Sequence, residues 1–165
     1  AGERLVVIGS TRGHLGQSLY QQLATGKFAG APPAVDLADE LKAGWLIRAL
    51  IREGIVSAVH DVADGGLVVA IAEMALAGGL GATLASNPTR LPDHAFWFGE
   101  DQGRYVIAVK AEQAAAAVVR ANALALAASD LGSIGGDAIS LDGQSVSLQS
   151  LGASHQAWLP NYMGG

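Results

Sequence analysis

No cysteine occurs among the 165 residues, which excludes disulfides, Cys-ligated zinc, iron–sulfur clusters and thiol nucleophiles. Charge is also scarce. Asp, Glu, Lys and Arg make up 15% of the chain, where about a quarter is usual for a soluble protein. The balance is acidic, 10 Lys and Arg against 15 Asp and Glu for a net charge of −5, and no basic stripe exists to track a nucleic acid. No apolar run approaches the ~18 residues that a membrane-crossing helix needs. The opening Ala1-Gly2-Glu3-Arg4 lacks the charged and apolar regions of a signal peptide, so a cytoplasmic protein is expected. A chain that starts without Met, directly before a strand, is expected to be a piece of a longer one. Scarce charge leaves neutral surface, as expected where another domain or chain covers it. An alanine-rich composition accounts for the same scarcity.

What is present is apolar and glycine-rich: half the chain is hydrophobic and 22 residues are glycine, enough for one domain spanning 1–165. The chain is organised around residues 57–82. Ile55, Val56, Ala58 and Val59 form a short β-branched run suited to a buried strand. His60, Asp61 and Asp64 crowd polar groups into the following turn. Asp64 is placed to cap a helix by accepting from its free N–H groups, and Gly65 and Gly66 leave those groups open to an anion. Leu67, Ala70, Ile71 and Met74 then fall on one helix face, and Gly78 or Gly79 ends the helix in the left-handed conformation. A capped helix after a strand uses the same residues with no ligand.

Two other turns carry polar groups. The strand Leu5–Ile8 runs into a segment with glycines at 9, 13 and 16, a spacing that is neither a dinucleotide fingerprint nor a Walker loop. Its backbone N–H groups, with Thr11, Arg12 and Ser18, could hold a phosphate; a plain strand-to-helix loop is the alternative. Ser18 lies in no Gly-x-Ser-x-Gly elbow, so it is not expected to be a hydrolase nucleophile. Further on, Glu100, Asp101, Gln102 and Arg104 precede the strand Tyr105–Val109. They could bind the hydroxyls and amides of a polar ligand, or form a solvated turn with a local Glu–Arg pair.

The remaining elements follow from pattern. Gln17–Leu23 is expected as helix. Asp36 caps a helix to Arg52 whose apolar face includes Leu37, Leu41, Trp45, Leu46, Ala49 and Leu50, ended by Gly54. Ala82–Ser86 is a strand, Ala95–Phe98 an aromatic edge or cover, and Glu112–Leu126 an alanine-rich helix. Leu131–Ile134, Ala138–Leu141 and Ser145–Leu148 are strands, the last two joined by a tight Asp142-Gly143 turn. This alternation predicts an α+β fold, a mixed β-sheet covered by helices. Two tertiary expectations follow: the turns of Arg12 and Gly65 lie on the same side of the sheet, and an apolar face is exposed near residues 96–98.

The wording of the segments is more specific than their spacing. His60-Asp-Val-Ala-Asp-Gly-Gly-Leu67, followed by Ala72-Glu-Met-Ala-Leu-Ala-Gly-Gly-Leu-Gly-Ala82, resembles the C-terminal domain of the aminoimidazole ribonucleotide synthetase superfamily. Gly16-Gln-Ser-Leu-Tyr20, Glu100-Asp-Gln-Gly-Arg104 and the tail Ala-x-His155-x-x-Trp158-Leu-Pro-x-Tyr162-Met narrow the resemblance to the phosphoribosylformylglycinamidine synthase family, in its small-subunit form. The resemblance covers essentially the whole chain and implies that superfamily's layered αβ fold.

It also implies an ATP-dependent ligase of de novo purine biosynthesis. In that family formylglycinamide ribonucleotide becomes the amidine: ATP phosphorylates the amide oxygen, ammonia from a glutaminase displaces phosphate, and Mg²⁺ bridges the phosphates. The family's main nucleotide, metal and catalytic residues lie on the N-terminal domains of its two halves. The resemblance therefore makes this chain the C-terminal domain of the second half, with no catalytic or metal residue and no activity alone. The substrate or nucleotide contacts it implies here are Arg12, Ser18, His60, Asp61, Asp64, Gly65, Gly66, Glu100, Asp101 and Gln102. Implied partners are the parent's N-terminal domains, the glutaminase subunit, a small accessory subunit and the ribonucleotide. The chain departs from the usual pattern at Ser10 and His14, where acidic residues are common. Alternatives are another superfamily member (aminoimidazole ribonucleotide synthetase, selenophosphate synthetase, thiamine-phosphate kinase) or a scaffold domain that only packs.

Overall fold

The computed structural model describes residues 1–164. Its elements, in chain order, are β1 (Arg4–Ile8), α1 (Leu19–Thr25), α2 (Leu37–Arg52), β2 (Val56–Asp61), α3 (Gly66–Gly78), β3 (Ala82–Leu84), α4 (Asp93–Phe98), β4 (Tyr105–Val109), α5 (Ala111–Ala123), β5 (Ala128–Ile134), β6 (Ala138–Leu141), β7 (Gln144–Ser147) and α6 (Leu148–Met163). The seven strands form one sheet in the order β2-β4-β1-β5-β3-β6-β7. Every pairing is antiparallel except that of β3 with β6. The sheet is therefore mixed, and the fold is the expected α+β.

The period-two alternation of the central strands builds a core on each face. Leu5, Val7, Val106 and Ala108 face one way, against Leu67, Ala70 and Ile71 of α3 and Phe96 and Trp97 of α4. Val6, Ile8, Ile107 and Val109 face the other way, against Leu46, Ile47 and Leu50 of α2 and the buried alanines of α5. A fully buried Leu, Ile, Val or Phe contributes about 1.5–3 kcal/mol, so these two layers hold the sheet flanked by helices.

Local signals set the helix limits. Asp36 caps α2 as expected, its Oδ1 accepting from the N–H groups of Ala38 and Asp39. Ser18 caps α1, so that helix starts two residues later than its sequence suggests. Of the two glycines at the end of α3, Gly79 adopts the left-handed conformation, with φ 64°. The Asp142-Gly143 turn joins β6 to β7 with positive φ at both residues.

Three expectations are corrected. First, β2 is not a buried strand; it is the sheet edge, with Ser57 and Ala58 exposed. Second, Ala95–Phe98 is no exposed cover. It is helix, and Phe96 and Trp97 are each 2% exposed in the core. Third, Trp45 is 59% exposed, alongside exposed Leu37 and Leu41. The buried stripe of α2 is Ala43, Leu46, Ile47 and Leu50. At about 100° per residue, Leu37, Leu41 and Trp45 fall on the opposite side of that helix. The tail with His155, Trp158 and Tyr162 lies within α6, and Gly165 lies outside the described residues.

Candidate functional site

The strand order brings the polar turns together. Ile8, the last residue of β1, pairs with Tyr105, the first of β4. Asp61, the last of β2, pairs with the same Tyr105 from the other side. The turns that leave β1 and β2 therefore flank the segment 99–104 that leads into β4. The turns of Arg12 and Gly65 lie at one end of the sheet, as expected.

Two adjacent carboxylates tie the turns down. Asp101 accepts from the backbone N–H groups of Arg12 at 2.9 Å, Gly13 at 2.8 Å and His14 at 3.4 Å. Glu100 Oε1 accepts from Leu19 N–H and Gly65 N–H, each at 2.8 Å. Both side chains are buried, at 6% and 9% exposure. The two backbone positions suited to an anion are thus occupied by anions of the chain itself.

Several expected site residues make bonds within the chain. Glu100 and Asp101 clamp the backbone of the two turns. Asp64 does not cap α3: no side-chain cap is made there, Gly65 occupies the N-cap, and the N-terminal N–H of Gly65 goes to Glu100. Gly65 and Gly66 are buried, and Gly66 N–H donates to Ala63 O. Gly66, at φ 73°, lies against residues 97–99; a Cβ there would sit 2.6 Å from Gly99 O. Ser18 is fully buried, with its hydroxyl donating to Leu15 O and accepting from Gln21 N–H.

Arg104 is in no solvated turn: it is the largest fully buried side chain, 1% exposed. Its guanidinium donates to Gly99 O at 2.5 Å, Asp101 O at 3.1 Å and Thr11 Oγ1 at 3.2 Å. Burial lowers its pKa from the ordinary arginine value, and the nearby charge of Asp101 opposes that shift. Arg104 therefore locks the loop on which the two clamps sit. Its only sequence signal was its place between a glycine and a β-branched strand. Gly9 belongs to the same packing: at φ 111°, a Cβ there would meet Gly103 O at 2.5 Å.

Two open cavities lie beside this lock. One, of about 360 Å³, is lined by Gly9, Arg12, His14, Asp36, Glu40 and Gln102 among others. The other, of about 380 Å³, is lined by Asp61, Asp64, Glu40, Gln102, Gly103 and Tyr105 among others. Glu40, Gln102 and Gly103 form the wall common to both. Gln102 is exposed, and its amide donates only a long 3.4 Å bond to Glu100 O. Arg12 is exposed, and among the described residues its guanidinium joins no ion pair. His14 Nε2 lies 2.9 Å from Ala31 O.

His60 is not part of this group. Its ring turns to the α3 face, with Nε2 3.3 Å from Glu73 and Nδ1 2.6 Å from Asp61 O. Among the described residues no three His, Asp or Glu side chains converge to hold a metal ion. None of their helices is long and apolar enough to cross a membrane.

Comparison with known proteins adds to this geometry. Residues 1–142 match the family model of AIR synthase related protein, C-terminal domain. The chain is 43% identical over 166 residues to phosphoribosylformylglycinamidine synthase subunit PurL of Rhodopseudomonas palustris (strain BisB18), covering 100% of this chain and 23% of that protein. It is 48% identical over 164 residues to the PurL subunit of Methylocella silvestris, covering 99% of this chain and 22% of that one. The chain thus spans less than a quarter of the length of these relatives. Among solved structures, Thermotoga maritima PurL complexed with FGAR superposes with a TM-score of 0.73 at 18% identity, over 91% of this chain and 28% of that one. The hydrogenase maturation protein HypE of E. coli superposes at 0.60 with 23% identity, over 91% and 50%. At those identities the superpositions establish the layered fold.

Proposed function

The chain belongs to the family of AIR synthase related protein C-terminal domains, and from that premise we propose that it is the C-terminal domain of the second half of a phosphoribosylformylglycinamidine synthase. The observation that carries this reading is the extent of the likeness: relatives of the PurL type align over 99–100% of the chain, whereas the general family model stops at residue 142. The parent would be a cytoplasmic ATP-dependent ligase of purine biosynthesis. It would convert formylglycinamide ribonucleotide and ammonia to formylglycinamidine ribonucleotide, with a glutaminase subunit supplying the ammonia and a small accessory subunit joining the complex.

The chain's own part is to shape a polar wall. Gln102 both donates and accepts, and it stands between the two cavities. Arg12 offers an unpaired guanidinium to a phosphate or carboxylate. Asp61 and Asp64 offer acceptors to ribose hydroxyls. ATP, when bound in the parent, supplies the phosphoryl group. In this reading most of the contacts to ATP and to its Mg²⁺ lie on other domains of the parent.

The test uses the intact parent protein, assayed for amidine formation from formylglycinamide ribonucleotide, ATP and ammonia. Turnover by the intact protein and none by residues 1–165 alone is expected. An intact protein inert toward this substrate but able to phosphorylate selenide, thiamine phosphate or the amidine itself would move the chain to another superfamily member. A packing role without ligand contact is the second reading, favoured by Glu100 and Asp101 filling both backbone anion positions. Gln102→Ala separates the two: a raised KM in the parent supports contact, and unchanged kinetics supports packing.

A further inference from the structure

Among the described residues, nothing covers the outer half of the last helix. α6 starts anchored: Ser147 caps it, and Leu148 and Leu151 pack on the α3-side core. Beyond Gly152 the helix projects outward. Trp158, Leu159, Tyr162 and Met163 are 66%, 57%, 73% and 75% exposed. Trp158 and Tyr162 stack on each other, ring centroids 5.4 Å apart and planes 6° from parallel. From Leu148 to Gly164 there is no Asp, Glu, Lys or Arg. A solvated helix face normally carries charge, and a cluster of large apolar groups rimmed by none marks an interaction surface. Pro160 stands inside this helix, where proline costs about 3 kcal/mol of intrinsic helix stability, so the outer turns need support from outside.

We propose that the outer half of α6 is a docking peg, seated in an apolar, uncharged groove on the remainder of the parent chain. This rests on the reading above that a longer synthase chain exists. The area selects the occupant. Four such side chains at these exposures offer on the order of 500 Å². A separate subunit or a second copy needs about 800 Å² from each partner for a stable interface. A tethered partner needs less, because linkage raises its effective concentration to about the millimolar range. The greater part of the parent lies outside these 165 residues, since relatives are matched over only 22–23% of their length. The peg also lies beyond the general family model, which ends at residue 142, and within the span matched by the PurL relatives. It is an addition to the shared domain, and its exposed surface has no use within that domain.

The experiment is hydrogen exchange, read by mass spectrometry, on amides 154–163 of the intact parent protein without other subunits. Exchange at least about tenfold slower than in the Trp158→Asp/Tyr162→Asp variant, and independent of protein concentration, is the expected result. Fast exchange in the unmodified chain overturns the proposal and needs no variant to fold. Protection that grows with concentration assigns the peg to a second copy, and protection that appears only when glutaminase or accessory subunit is added assigns it to that subunit; either overturns the proposal too. Amidine formation is measured on the same preparation. An active chain with a freely exchanging tail refutes only the peg, whereas a protected tail in an inert chain refutes only the functional reading.

Discussion

Replacing Asp101 by alanine should destabilise the domain far more than replacing its neighbour Gln102. The carboxylate is 6% exposed and accepts two short bonds from Arg12 N–H and Gly13 N–H, at 2.9 and 2.8 Å. A hydrogen bond to a charged group contributes about 1.5–3 kcal/mol, and its loss leaves a donor without a partner. The adjoining cavity of about 360 Å³ lets water reach part of the gap. That return of water holds the net cost to roughly 3 kcal/mol, the low end of the sum of two such bonds. The buried Arg104 guanidinium also loses its nearby negative charge, which adds to the cost. At about 2–4 °C per kcal/mol for a domain of this size, the melting temperature should fall by about 6–12 °C. Asp101→Asn keeps one acceptor oxygen but turns an amide N–H toward backbone donors, and about half that fall is expected. Thermal unfolding followed by circular dichroism measures both. A melting temperature within about 2 °C of the unmodified domain for Asp101→Ala would refute the clamp and return Asp101 to the ligand contacts.

Other substitutions test the neighbouring assignments. Arg104→Met removes the donors to Gly99 O, Asp101 O and Thr11 Oγ1 and should cost about 3 kcal/mol, read as a lower urea midpoint; an unchanged midpoint would contradict the lock. Trp45→Ser, on the outer face of α2, should alter the unfolding free energy from a urea titration by no more than about 0.5 kcal/mol. Gln102→Ala should leave melting unchanged, because its side chain makes one long bond, and its effect should be confined to KM in the parent enzyme. The exposed Arg120–Glu53 pair gives a pH signature. The bond from Arg120 holds the Glu53 carboxyl below the ordinary value of 4.5, so whatever stability the pair contributes is present above that pH and is lost as pH falls through the folded value. Arg120→Gln should flatten this part of the acid limb in an unfolding titration, and an identical acid limb in both proteins would show that the pair contributes nothing.

Much of the sheet was legible because its signals are local. Leu5–Ile8, ending at Gly9, and Tyr105–Val109, starting after Gly103, are β-branched runs whose alternation reads directly as two buried faces. The cap at Asp36 and the hairpin at Asp142-Gly143 are equally local, since each uses residues a few positions apart. What failed was judged across space. Trp45 and the Ala95–Phe98 segment are apolar in sequence, and apolar character alone does not say which side of a helix meets the sheet. Leu46, Ile47 and Leu50 formed a stronger stripe than Leu37, Leu41 and Trp45, so the tryptophan turned outward. The edge position of β2 depends on strand order, which no property of Val56–Asp61 encodes.

The polar loop separates local chemistry from tertiary occupancy most clearly. Its sequence pointed to anions at two backbone positions, the glycine turn after β1 and the N-terminus of α3. The structure holds an anion at each, Asp101 at the first and Glu100 at the second. Open N–H groups in a glycine-rich turn mean that an anion is favoured there; they do not say that it comes from outside. The decisive information was the register of β4 between β1 and β2, which delivers residues 100 and 101 to those positions. One residue further on, Gln102 is too late to reach either turn's backbone and is carried out into the wall between the cavities. The same three-residue run thus supplies two backbone clamps and one side chain exposed in the wall between the cavities.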